Sequence, residues 1–213
     1  MPFYLDSATP EDARMAARLG WVTGATTNPR ILANCGLPPE QALAMLAKTL
    51  PHGPIFYQLT APDLAGMQEE AARAAEILGA RLILKIPAHE PGFEAAAHLS
   101  IIYSVAITGI YDASQAMVAA ACGAKFAIAY YHRALGRLED GIGMMRAFVD
   151  VLRGTDTLPL AASLKNPEEV VDARRLGFTH LTMPLEVLRS LSEHPASQQA
   201  IAEFNSEGIG LHD

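Results

Sequence analysis

Eight short runs of apolar, β-branched or aromatic residues recur along this chain, at 3–5, 21–23, 55–59, 82–86, 101–105, 126–129, 158–162 and 180–182. Alanine-rich stretches of helical periodicity separate most of them; within 63–78, for example, Leu64, Met67, Ala71, Ala74, Ala75 and Leu78 fall on one helical face. Strand followed by helix, repeated, calls for a parallel sheet with helical crossovers. The helix ends are punctuated. Thr9-Pro10-Glu11-Asp12 opens one helix that Leu19-Gly20 closes, and Asn166-Pro167-Glu168-Glu169 opens another that Leu176-Gly177 closes. In each, a polar N-cap precedes proline, acids sit near the positive end of the helix dipole, and glycine takes the left-handed position afterwards. Gly79 and Gly123 read as closing two more helices. Eight such units in 213 residues predict an α/β fold, a (β/α)8 TIM barrel, as a single domain over 1–213. An open doubly wound sheet is the alternative, but no GxGxxG follows the first run.

With 50% hydrophobic and 18% charged residues, the chain can bury a substantial core, and no linker divides it. A net charge of -7 and the lack of any basic run exclude nucleic acid as a partner. No apolar leader precedes Phe3 and no run approaches membrane-spanning length, so the expected location is cytoplasmic, without membrane contact. Cys35 and Cys122 lack a CxxC setting and the histidines lack HxH or HxxxH spacing, so neither a disulfide framework nor a metal is expected.

The segment Arg81-Leu82-Ile83-Leu84-Lys85-Ile86-Pro87 places an amine among strand-forming residues. Such a lysine either extends its stem to water or is held dry, where burial disfavours the ammonium and frees a neutral amine to attack a carbonyl. Active sites of barrels sit at the C-terminal strand ends, so polar residues ending the apolar runs are the candidates. Asp6 ends the first, Thr26 and Asn28 follow the second, Gln58 lies in the third and Lys85 in the fourth. Thr108 follows the fifth, Tyr130 and Arg133 the sixth, and Ser163 the seventh, with Lys165 close behind. Singly, each has a structural explanation: Asp6 and Ser163 as caps, Asn28 as a turn residue before Pro29, Thr108 and Tyr130 as rim packing. Jointly they supply an amine, a carboxylate, a phenol, groups able to hold a water, and an arginine, which is what carbonyl chemistry on a sugar phosphate requires.

The blocks Tyr4-Leu5-Asp6, Gly24-Ala25-Thr26-Thr27-Asn28-Pro29, Leu84-Lys85-Ile86-Pro87, Tyr130 with Arg133, Ala161-Ala162-Ser163 and Leu181-Thr182-Met183-Pro184-Leu185 resemble the transaldolase and fructose-6-phosphate aldolase family, specifically its short branch, from Tyr4 to about Phe204. The resemblance implies a TIM barrel with Lys85 as the Schiff-base lysine of the fourth strand. Transaldolases of the family carry glutamate at the position of Gln58 and usually phenylalanine at that of Tyr130, so this pair is aldolase-like. The implied activity is a class I aldolase that cleaves and forms fructose 6-phosphate from dihydroxyacetone and glyceraldehyde 3-phosphate, with no cofactor. Lys85, Tyr130, Asp6, Gln58 and Thr108 would be catalytic, the last two holding a water with Tyr130. Thr26, Asn28, Arg133, Ser163 and Lys165 would bind substrate, the last three at its phosphate. A transaldolase moving a dihydroxyacetone unit between sugar phosphates is the alternative, and a non-catalytic sugar-phosphate-binding barrel is the reading from another class.

The chain departs from the family pattern at Ala129, in the usual place of proline, at His132, and at Arg30, where small residues are frequent. Arg30 is either a solvated helix residue or, facing the mouth, a cation for a second anionic group. The amphipathic segment 185–204 and the family likeness imply a ring-shaped homo-oligomer, a pentamer or decamer, with that helical segment between subunits.

Overall fold

In the computed structural model, which describes residues 1–50, 52–209 and 211, eight parallel strands close into a barrel in chain order. The remaining four positions of the expected 1–213 domain lie outside the described residues. The strands are β1 Phe3–Asp6, β2 Val22–Thr26, β3 Ile55–Gln58, β4 Leu82–Pro87, β5 Val105–Ile110, β6 Phe126–Tyr130, β7 Leu158–Ala162 and β8 His180–Met183. Pairing of β1 with both β2 and β8 closes the ring. The helices are α1 Pro10–Leu19, α2 Pro29–Ala33, α3 Pro39–Thr49, α4 Leu64–Leu78, α5 Glu90–Leu99, α6 Ala113–Ala121, α7 Tyr131–Arg137, α8 Gly141–Leu152, α9 Pro167–Leu176, α10 Leu185–Ser190 and α11 Pro195–Glu207. None of these is long and apolar enough to cross a membrane.

Helix punctuation acts as expected. Thr9 Oγ1 accepts the Asp12 amide at 3.2 Å and Asn166 Oδ1 the Glu169 amide at 2.8 Å, while Gly20 and Gly177 take φ of 74° and 108° beyond the last turns. Two strands lie elsewhere than the apolar runs suggest. β5 begins at Val105, because Ile101 and Ile102, 83% and 74% exposed, form the turn that ends α5. The Ile102 and Tyr103 amides both donate to the Leu99 carbonyl, so the helix end claims the donors a strand would need, and β-propensity loses. β2 continues to Thr26 instead of stopping at Thr23. As a result Thr26 and Thr108 lie inside strands, not beyond them.

Side chains alternate across each strand. Leu5, Ala25, Leu84, Ile107, Ala127, Ala161 and Leu181 face outward and share one core with helix residues such as Ala16, Leu46, Met67, Ala96 and Phe148. Tyr4, Phe56, Ile83, Ala106, Phe126, Ile128 and Leu160 form a separate core along the barrel axis. Its floor is aromatic: ring centroids lie 5.3 Å apart for Tyr4–Phe56 and for Phe56–Phe126, and 5.0 Å for Phe126–His180. Each fully buried phenylalanine contributes roughly 3 kcal/mol of transfer free energy. Two residues further along these strands the inward positions turn polar, from Tyr4 to Asp6, Phe56 to Gln58, Ile83 to Lys85, Ala106 to Thr108 and Ile128 to Tyr130. A dry floor therefore supports a polar rim at the C-terminal strand ends.

The segment 185–204 divides between two helices. α10 buries Val187 and Leu188, whereas α11 buries no residue and exposes Ile201 and Phe204.

Candidate active site

Lys85 is the fourth residue of β4, 4% exposed, and its Nζ donates to the Thr27 carbonyl at 2.7 Å. The amine does not snorkel. Burial pulls its pKa down to about 8; Asp6 opposes that shift and Arg133 reinforces it. The threonine pair at the end of β2 divides its work. Thr27 Oγ1 donates to the Phe56 carbonyl at 2.8 Å, fixing the strand end that offers its own carbonyl to Lys85. Thr26 faces the axis, where its hydroxyl lies 2.7 Å from Asp6 Oδ1 and 2.6 Å from Thr182 Oγ1.

Across the ring, Tyr130 ends β6 and Thr108 sits in β5, their hydroxyl oxygens 3.0 Å apart. Burial pushes the Tyr130 phenol up, and the Thr108 hydrogen bond pulls it partly back. The β5–β6 register shifts between Thr108 and Ile110, where Gly109 adopts φ of 77°. That bulge bends the strand directly after Thr108. Arg133, on α7, lays its guanidinium 4.7 Å from the centre of the Tyr130 ring, a cation–π contact that fixes both groups. Ser163 follows β7 with φ of 62°, the one non-glycine residue with positive φ among the described residues. Gln58 stands beside Lys85 in the β3–β4 register.

Asp6, Thr26, Asn28, Lys85, Tyr130, Arg133, Ser163 and Lys165 all line an inner cavity of about 70 Å³. It opens into a mouth of about 700 Å³, which Gln58 and Arg30 also line. Thr108 lines neither space and reaches the site through the Tyr130 hydroxyl. Asn28 combines its two readings: its Oδ1 caps α2 by accepting the Ile31 amide at 3.0 Å, and its side chain still borders the cavity. His132 turns away from the mouth and pairs with Glu169 of α9 at 2.7 Å. Ala129, in place of proline, is buried and held in ladder register with Ala161.

Thr182 also lines the inner cavity and completes a hydroxyl bridge to Thr26. Sequence reasoning gave it no role at the site, although it ends the eighth apolar run and the signal that found the other rim residues applies to it. Chemically, the arrangement offers one dry amine, a carboxylate beside it, a phenol with a hydroxyl partner, and a cationic wall of Arg133 and Lys165.

The family model described as Transaldolase/Fructose-6-phosphate aldolase matches residues 3–210. A "Probable transaldolase" of Desulfitobacterium hafniense is 34% identical over 211 residues, covering 96% of each chain. Another "Probable transaldolase", from Heliobacterium modesticaldum, is 33% identical over 220 residues and covers 100% of each. Among solved structures, a mandelate oxidase superposes with a TM-score of 0.62 at 16% identity, over 86% of this chain and 65% of the oxidase, less than two thirds of its length. That likeness is one of barrel fold alone.

Proposed function

This chain belongs to the transaldolase/fructose-6-phosphate aldolase family, and from that premise we propose that it is a class I aldolase acting on fructose 6-phosphate through an imine on Lys85. The observation that carries the proposal is the dry Lys85 amine, with its pKa near 8, at the inner end of a polar cavity.

The steps follow from the residues. Neutral Lys85 adds to the ketone carbon C2 and the carbinolamine loses water, leaving an iminium whose charge is the electron sink. Tyr130 gives the departing hydroxyl its proton, and the phenolate so formed, acting through a water shared with Gln58, takes the proton of the C4 hydroxyl. The C3–C4 electron pair moves into the iminium, glyceraldehyde 3-phosphate leaves, and a dihydroxyacetone enamine remains. The same phenol–water pair returns a proton to C3, and hydrolysis releases dihydroxyacetone. The balance closes because the hydrogen removed from O4 is matched by the one delivered to C3. A neutral amide at Gln58 orients this water but exchanges no proton near neutral pH, so the transfer falls on the phenol. Asp6, Thr26 and Asn28 border the three-carbon unit. Arg133, Ser163 and Lys165 hold the phosphate, the arginine by a two-pronged charge-assisted contact.

The relatives' names favour a second reading, in which the enamine passes to an acceptor sugar. Gln58 and Tyr130 favour release to water. Borohydride reduction after incubation with dihydroxyacetone tests the shared step: a peptide adduct at Lys85, absent from Lys85→Ala, is expected. Fructose 6-phosphate without acceptor then separates the two, since an aldolase frees glyceraldehyde 3-phosphate over many turnovers and a transaldolase stops near one per site. Folded protein that forms no adduct would put the sugar-phosphate-binding barrel first.

The exposed apolar residues of α11, Ile201 and Phe204, support assembly into a homo-oligomer through that helix. A monomeric mass at micromolar concentration would end that reading.

A further inference from the structure

Arg30 is the second residue of α2, on the segment that follows β2, and its side chain borders the mouth of the site. In a closed ring of eight strands in chain order, β2 and β6 are diametrically opposed. Arg133 follows β6, and Ser163 and Lys165 follow β7, so Arg30 stands on the wall facing the proposed phosphate groups. No carboxylate lies within ion-pair distance of Arg30 among the described residues, although Asp6 and Glu186 border the same mouth. The chain thus sets cations on both walls of one cavity of about 700 Å³, within the size range of small-molecule sites.

We propose that Arg30 is a specificity-determining residue that receives a second anionic group, so that the preferred substrate carries an anion at each end of its carbon chain. The inference rests on the aldolase reading for the phosphate at Arg133, and it narrows the substrate class within that reading. A guanidinium offers a rigid fork matched to phosphate or carboxylate oxygens. A ligand with one anion leaves one wall uncompensated; a ligand with two satisfies both at once. Bisphosphates and phosphorylated sugar acids share this chemistry.

Isothermal titration at about 0.15 M ionic strength, where only close charge pairs persist, tests the proposal with glucitol 1,6-bisphosphate and glucitol 6-phosphate. Neither polyol has a carbonyl, so binding does not depend on imine formation. The unsubstituted protein is expected to bind the bisphosphate at least about tenfold more tightly, and Arg30→Ala to cut that ratio to about twofold or less. Arg30→Glu should weaken the bisphosphate further, and Arg30→Lys should restore part of the preference. Equal affinities for the two polyols, or a preference that survives Arg30→Ala, would overturn it. Failure of the Lys85 adduct would remove the aldolase reading while leaving this titration interpretable. To distinguish the second anion's source, arabinitol 5-phosphate, with one anion and no carbonyl, and arabinonate 5-phosphate, the matching sugar acid, enter the same series; an Arg30-dependent gain for the acid comparable to that for the bisphosphate assigns Arg30 to a terminal anion of either kind, and a gain for the bisphosphate alone assigns it to a phosphate.

Discussion

Tyr130 Oη and Thr108 Oγ1 lie 3.0 Å apart across the neighbouring strands β5 and β6, and Thr108 touches neither the inner cavity nor the mouth. Thr108 thus helps fix where the phenol oxygen sits. Thr108→Val keeps the shape and removes the hydroxyl, so kcat should fall about tenfold, whereas Tyr130→Phe should fall roughly 10²- to 10³-fold, within the range of lost acid–base catalysis. Lys85 trapping by borohydride should survive both changes. Full activity in Tyr130→Phe would remove the phenol from the mechanism.

Imine formation should carry the titration of Lys85. Because burial brings that amine down to about 8, its neutral fraction rises close to tenfold for each pH unit below that point and levels off above it. Trapping rates measured under single-turnover conditions should climb about tenfold from pH 6 to pH 7 and flatten near pH 9. A flat profile across that range would place another group in control.

The same amine sets the sign of a stability effect. Its folded pKa, about 8, lies below the ordinary 10.5, so the unfolded chain binds the proton more readily. Below pH 8 both states are protonated and the penalty of the buried ammonium is fully present; from pH 8 to 10.5 the native protein gains stability as the amine neutralises. Lys85→Met should therefore be more stable than the parent at pH 7, by at most roughly 3 kcal/mol. The Thr27 carbonyl left without its donor offsets about 1 kcal/mol. Thermal melts at pH 7 and pH 10 should show the advantage shrinking; an advantage that grows with pH would contradict the sign.

Ser163 holds φ of 62° at the end of β7 and borders both cavities. Ser163→Gly should raise stability by about 1 kcal/mol, since glycine adopts that conformation without steric cost. Ser163→Ala keeps the backbone cost and should not raise it. Both lose the hydroxyl, so both should raise KM for phosphorylated substrate several-fold. An unchanged KM in both would leave Ser163 a turn residue only.

The barrel was legible because its signals are local. Alternating apolar runs and capped, punctuated helices depend on neighbours a few residues apart, and Thr9, Gly20, Asn166 and Gly177 act where the sequence puts them. The fifth strand was misplaced for the converse reason: β-branched Ile101 and Ile102 fit a strand, but the competing demand of the α5 end for the Ile102 and Tyr103 amides is visible only when that helix is built. Arg30 and His132 were equally open in sequence, and the folded chain turns one toward the mouth and the other toward Glu169.

By itself the sequence determined the eightfold strand–helix order, the polar residues waiting at the strand ends, and the lysine among apolar neighbours. Whether that lysine reaches water or stays dry was decided by ring closure, which brings the Thr27 carbonyl, 58 residues away, to 2.7 Å from its amine. Thr26 and Thr182 meet at 2.6 Å across 156 residues in the same way. Propensity and periodicity are properties of a short window of chain, but desolvation and convergence exist only after the barrel has excluded water and set its strand ends side by side.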